Sequence, residues 1–215
     1  MMDSGRIIAE FKQATEVPVE AVREAEQQRE VLAPLLIDVL AQAAKDPVEE
    51  LVDQDGLIFL AFHLLGSWKE TSAYSAVTDL LGSDVEKVEW LLGDAVTITA
   101  HRVVFNLFDG DLAPVKRLIE NPDVDVYVRR RMFDLLGMLM LQGKLERVDL
   151  VDYLRELHGR LEGDPEGLVW AGWVELVAQT ALRELSDLAE KSFQDRKIDL
   201  EFLDRSDFDR ILKDA

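Results

Sequence analysis

The chain has 215 residues, 48% of them hydrophobic, which is enough to bury a sizeable core and excludes a disordered chain. It has no cysteine, which excludes disulfides, thiol nucleophiles and cysteine-based zinc or iron–sulfur sites, and fits a reducing compartment. Its 43 acids against 24 Lys and Arg give a formal net charge of −19, a field that repels nucleic acid and anionic membranes and either serves solubility alone or suits a basic protein or peptide partner.

In chain order, Met1 to Glu10 has one basic residue and no apolar core, so no signal peptide is expected there, and residues 1–16 read as an N-terminal helix or arm. Pro18 sits where a first helical turn would begin. Leu32, Leu35, Leu36, Val39 and Leu40 then follow the i, i+3, i+4 stripe of a buried helix face. Asp46-Pro47 closes that helix and Asp55-Gly56 opens the next, whose stripe is Leu57, Leu60, Ala61, Leu64 and Leu65. Gly82-Ser83, Gly93-Asp94, Asp109-Gly110-Asp111, Asn121-Pro122-Asp123, Gly143 and Gly163-Asp164-Pro165 punctuate the rest, with Asp84 and Asp111 suited to N-caps. Val124, Val126 and Val128 alternate briefly, but the acids before them and the arginines after suit a helix start. Met132 to Leu141 is too short to span a bilayer. Beyond Asp195, Phe202, Leu203, Phe208, Ile211 and Leu212 give one apolar face, as a capping segment would. The pattern predicts an all-α fold of about ten helices with short connections, hence antiparallel neighbours.

Leu64-Leu65-Gly66 recurs as Leu135-Leu136-Gly137, roughly two periods of a 35-residue hairpin unit apart. A glycine after a leucine pair lets a helix approach its neighbour closely, or ends it. Val77 to Ser83 and Val115 to Asn121 fall at equivalent second-helix positions. Asn121 to Leu139 resembles the junction of HEAT-like repeats, an acidic loop followed by Val-Arg and an apolar helix. That likeness implies a structural tie between Asp123 or Asp125 and Arg129, and an α-solenoid: one helical-repeat domain over 1–215, with the array at 17–194 and a cap at 195–215.

Three stretches carry a wider likeness: Pro18 to Leu40; Leu57 to Leu81, with Trp68-Lys69-Glu70-Thr71 and Ala73-Tyr74; and Leu91 to Arg129. Over about residues 15–185 the chain resembles the bacterial domain of unknown function 1186 family. The resemblance implies a HEAT-like helical array with no established activity. Some members carry a cysteine-rich C-terminal SEC-C zinc motif; residues 199–215 have no cysteine, so zinc binding is not carried over and no cofactor is expected.

The chemistry-bearing residues are sparse. His63, His101 and His158 lie in three separate predicted helices, and none forms HExxH. His63, among Phe59, Phe62 and Leu64, reads as a satisfied or partly exposed helix histidine, and no carboxylate opposite His101 can be identified from the sequence. An EF-hand register on Gly56 puts Leu51 first and Phe62 last; on Gly110 it puts Phe105 first and Lys116 last, so neither supplies the required carboxylates. There is no glycine-rich phosphate loop and no GxSxG elbow. No catalytic, cofactor or metal residue is therefore assigned. The candidate partner-binding residues are the turn acids Asp94, Asp109 and Asp111, which either form a solvated cap cluster or bind a cation or a basic peptide, and the tryptophans Trp68, Trp90, Trp170 and Trp173. The tryptophans serve either core packing between hairpins or a concave aromatic groove. The expected function is a cytoplasmic protein–protein interaction scaffold. An enzyme or lyase-like protein with a small-molecule pocket, and self-association through the terminal helices, stand as alternatives.

Overall fold

Helical stripes of leucine and valine have to be covered by other helices, and the chain covers them locally. The computed structural model describes residues 2–215, and among these the chain forms fourteen α-helices, three short 3₁₀ helices and no strand. Among the described residues no helix is long and apolar enough to cross a membrane. The residues sort into two compact units, one ending at Pro114 and the other covering Val115–Ala215.

The first unit begins with α1 (Ser4–Lys12), capped by Asp3, whose carboxylate accepts from the Arg6 amide at 2.8 Å. Ile7 and Phe11 bury this helix against α2 (Val19–Gln27) and α4 (Asp55–Trp68). Pro18 stands immediately before α2. Gln28 separates α2 from α3 (Arg29–Ala43), which packs on α4. A single 3₁₀ turn, Thr71–Ala73, leads into α5 (Tyr74–Leu81). Then come α6 (Val85–Leu92), the one-turn α7 (Ala95–Ile98) and α8 (Ala100–Leu107).

Every residue of the predicted α4 stripe is buried, against α3 and α8. Gly66 sits inside α4 at its crossing with α8, where a Cβ would lie 2.9 Å from Val103 Cγ1. Asp84 caps α6 as expected, accepting from the amides of Glu86 and Lys87. The buried Lys87 then reaches back to donate from Nζ to the carbonyls of Ala43 and Ala44, both at 3.2 Å. A cation thus satisfies the free carbonyl end of α3, where the helix dipole is negative.

Helix α9 (Ala113–Glu120) straddles the boundary between the units. The second unit continues with α10 (Val126–Leu141), α11 (Arg147–His158) and α12 (Leu168–Gln179). A 3₁₀ turn at Arg183–Leu185 leads to α13 (Ser186–Gln194), and α14 (Arg205–Asp214) ends the chain. Helices α10 and α12 form the central pair, and each places a glycine under the other. A Cβ on Gly137 would meet Leu176 Cδ1 at 2.9 Å, and one on Gly172 would meet Arg130 and Phe133 at 3.0 Å. The leucine-pair glycines therefore serve close approach and do not end their helices. Helix α14 packs on α12, burying Leu203, Phe208 and Leu212, while Arg183 donates to the Leu212 carbonyl at 2.8 Å.

The excess over about ten predicted helices comes from short breaks without proline or glycine, at Gln28 and Thr99, and from the 3₁₀ turns. Four helix ends share one hydrogen-bond pattern. After α4, α10, α12 and α13 the chain turns through a left-handed residue, Lys69, Gly143, Ala181 and Arg196 respectively. The amide of each bonds three residues back and the next amide bonds five back, as in Lys69 to Gly66 and Glu70 to Leu65.

The predicted tie at Asn121 to Leu139 is built differently from the expectation. Asp125 caps α10, accepting from the amides of Tyr127 and Val128. Asp123 lies exposed in the preceding turn, its amide donating to Asn121 Oδ1. Arg129 is buried and donates from Nε to the Ile119 carbonyl at 3.0 Å and from Nη2 to the Glu162 carbonyl at 2.5 Å. The arginine does join neighbouring segments, but through the free carbonyl end of α9 rather than through either aspartate. Beside it, Glu120 accepts from the Tyr153 hydroxyl and from Arg160. Burial alone would raise the Glu120 carboxyl, but these hydrogen bonds outweigh it and hold it below the usual carboxylate range.

Candidate functional site

Three stretches far apart in sequence meet at a cleft in the first unit. They are the loop Ala14–Val17 after α1, the first turns of α4 with Asp55, Gly56, Phe59 and Leu60, and Trp90 with Leu91 on α6. The cavity they enclose is about 270 Å³. Gly56 lets α4 begin there, because a Cβ would stand 2.8 Å from the Phe11 carbonyl oxygen and 2.9 Å from that of Ala14. Phe59 and Trp90 both lie off the buried faces of their helices and remain 38% and 41% exposed. Among the described residues of the lining the charged ones are Glu16 and Asp55, both exposed acids. Asp55 occupies the first turn of α4, at the positive end of the helix dipole.

One side of the cleft is held rigidly. His63 Nδ1 donates to the Phe59 carbonyl at 2.8 Å, and its ring lies tilted at 43° to that of Phe59 with centroids 4.4 Å apart. Its Nε2 lies 3.0 Å from Thr99 Oγ1, tying α4 to the start of α8. The histidine is a satisfied helix residue, as its apolar neighbours predicted.

The other predicted residues are placed separately. Trp68 is half-buried at the end of α4. Asp94 is exposed at the turn after α6, four residues from Trp90. Asp109 and Asp111 share one turn, where Asp109 accepts from the Asp111 amide and Asp111 from the Ala113 amide, both at 2.9 Å. The Asp111 carbonyl accepts from the buried Tyr74 hydroxyl at 2.7 Å.

In the second unit, Trp173 is 0% exposed and donates from Nε1 to the Leu154 carbonyl at 3.2 Å. Trp170 is 4% exposed, and its ring lies under Lys197 Nζ at 3.8 Å. This pair packs the second unit and does not line an open aromatic groove. A polar cleft of about 430 Å³ opens beside Trp170, between the loops Gly163–Gly167 and Arg196–Asp199. Its Asp164 carboxylate is already held by the amides of Glu166, Leu168 and Val169.

One contact has the geometry of a nucleophile and base: His158 Nε2 lies 3.1 Å from Ser192 Oγ. Ser192 is 0% exposed, however, and both groups donate to the Leu188 carbonyl. The pair closes a helix contact out of reach of any substrate.

The signal for the cleft was present in the sequence as two large apolar residues off the helical stripes, Phe59 and Trp90. Glu16, Val17 and Asp55 carried no such signal, because only the folded chain brings them alongside.

A family model described as Protein of unknown function (DUF1186) matches residues 2–215. Over 200 residues the chain is 28% identical to an uncharacterised protein of Chlamydia trachomatis serovar D, covering 91% of this chain and 78% of that relative. It is likewise 28% identical over 200 residues to an uncharacterised protein of Chlamydia muridarum, covering 91% of this chain and 79% of that one. No solved structure matches the chain.

Proposed function

The chain belongs to the DUF1186 family, proteins of unknown function, and from that premise we propose that it is a protein-interaction scaffold whose cleft takes a segment of a basic partner. The observation that carries this reading is the open pair Phe59 and Trp90 in a cleft whose charged lining is wholly acidic. Exposed tryptophan in a concave site is the common anchor of protein interfaces, and complementary charge supplies steering and specificity. Cavities that hold drug-sized ligands run from about 300 Å³ upward, so this one suits a single side chain better than a cofactor.

We read the helices as HEAT-like hairpins presenting that cleft. In support, the shared turn pattern after α10 at Gly143 recurs after α12 at Ala181, 38 residues on, an interval in the range of one helical-hairpin repeat. The absence of cysteine fits the cytoplasm as the place where such a scaffold works.

The test is calorimetric titration with oligolysine at about 0.05 M salt, where exposed charges still interact over more than 10 Å. Glu16→Lys with Asp55→Lys is compared with Glu166→Lys with Asp187→Lys, an equal charge change in the second unit. The cleft pair is expected to weaken binding about tenfold more than the control pair. Equal losses would mean that net charge alone attracts the probe, and the cleft reading would fail.

A further inference from the structure

We propose that the residue seated in this cleft is an arginine of the partner's basic segment, its guanidinium held between the Trp90 face and the carboxylates of Glu16 and Asp55. The inference rests on the scaffold reading and goes further by naming the group that is recognised.

Three candidate side chains compete for the space. A leucine would satisfy Phe59, Leu60 and Trp90, but it would press two ionised carboxylates toward an apolar group and leave them poorly solvated. A lysine would answer the charge, yet its ammonium is a strongly hydrated point charge that meets one carboxylate at a time. An arginine answers both features at once. Its plane stacks on an indole, it is more weakly hydrated, and its five donors in a fixed fork can bridge carboxylates on two walls.

The acids and the indole come from three different elements. Glu16 belongs to the loop after α1 and Asp55 to the first turn of α4, while Trp90 comes from α6. Glu86 and Glu89, four residues and one residue before Trp90 on α6, are exposed acids that add to the negative charge of this helix. Elsewhere in the protein cations sit over aromatic rings, both of them lysines: Lys197 lies over Trp170, and Lys116 Nζ lies 4.5 Å from the Tyr153 ring centroid, so an aromatic face alone does not select arginine and the selection needs the paired carboxylates as well. Trp90 offers an indole in acidic surroundings that is still open to solvent.

The experiment uses the full chain and four short alanine-based peptides that differ only in carrying arginine, lysine, citrulline or leucine at the same positions. Affinities are measured by calorimetry, on the wild type and on Trp90→Ala, with circular dichroism to check folding. The arginine peptide is expected to bind about fivefold or more tightly than the lysine peptide, and citrulline, which keeps the shape without the charge, more weakly than both. Trp90→Ala should erase the difference between arginine and lysine while leaving a salt-sensitive residue of binding. Should Trp90→Ala misfold, Glu16→Gln serves instead, and it should lower arginine binding more than leucine binding. Equal affinity for arginine and lysine overturns the arginine anchor and leaves the scaffold reading standing. Tightest binding by the leucine peptide overturns it in favour of an apolar anchor. No binding by any of the four at low salt overturns both.

Discussion

His158 is closed in by Trp170 and Trp173, whose rings meet its own edge-on at 5.2 Å, and by Ser192 of α13. Burial lowers its pKa below the ordinary 6.5, with Lys197 and Lys191 acting the same way and the Leu188 carbonyl and Asp195 opposing them. The folded chain therefore takes up this proton less readily than the unfolded chain. The stability tied to the neutral ring is whole above pH 6.5 and is lost as the pH falls through that value toward the folded pKa. His158→Gln should make the loss of stability between about pH 7.5 and pH 5.5 shallower than in the wild type, as read by urea denaturation at each pH. Parallel slopes would sink the assignment. Single residues were the least legible scale in the sequence. Arg129 was singled out in the sequence by the likeness of residues 121–139 to a repeat junction, but its partners are backbone carbonyls, which leave no trace in side-chain spacing.

Helices were far more legible, because the stripe that buries a helix is written in its own residues. The α4 stripe and the Asp84 cap were both readable in this way. The breaks at Gln28 and Thr99 were not, since packing rather than proline or glycine sets them. The leucine-pair glycines allow a test at this scale. In α4 a methyl on Gly66 would strike Val103, a β-branched side chain with no free rotamer to give way. In α10 a methyl on Gly137 would strike the tip of Leu176, which can swing. Alanine also gains up to about 1 kcal/mol over glycine in a helix. Gly66→Ala is therefore expected to lower stability by about 1–2 kcal/mol, and Gly137→Ala to change it by less than about 0.5 kcal/mol. Chemical denaturation of the two variants decides, and the reverse order would refute this account of the helix crossings.

For the molecule as a whole, the dominant fact is charge. With 43 acids and 24 Lys and Arg, many carboxylates have no cation to answer them, and ion pairs such as Arg130–Glu175 at 2.8 Å can relieve only part of the repulsion. Raising ionic strength from about 0.01 M to about 0.15 M shortens the Debye length from about 30 Å to about 8 Å. The melting temperature should rise over that range, since screened repulsion outweighs weakened surface pairs worth under about 1 kcal/mol each. A flat or falling melting temperature in a salt series would contradict this. The chain turns after α4, α10, α12 and α13 through the same pair of backbone bonds, although the left-handed positions hold lysine, glycine, alanine and arginine. A left-handed conformation costs a residue with a Cβ about 1–2 kcal/mol, and three of these four sites bear that cost. The backbone bonds at these corners are the same with lysine, glycine, alanine or arginine at the left-handed position, so Lys69→Gly, Ala181→Gly or Arg196→Gly should keep the turn and relieve part of that cost.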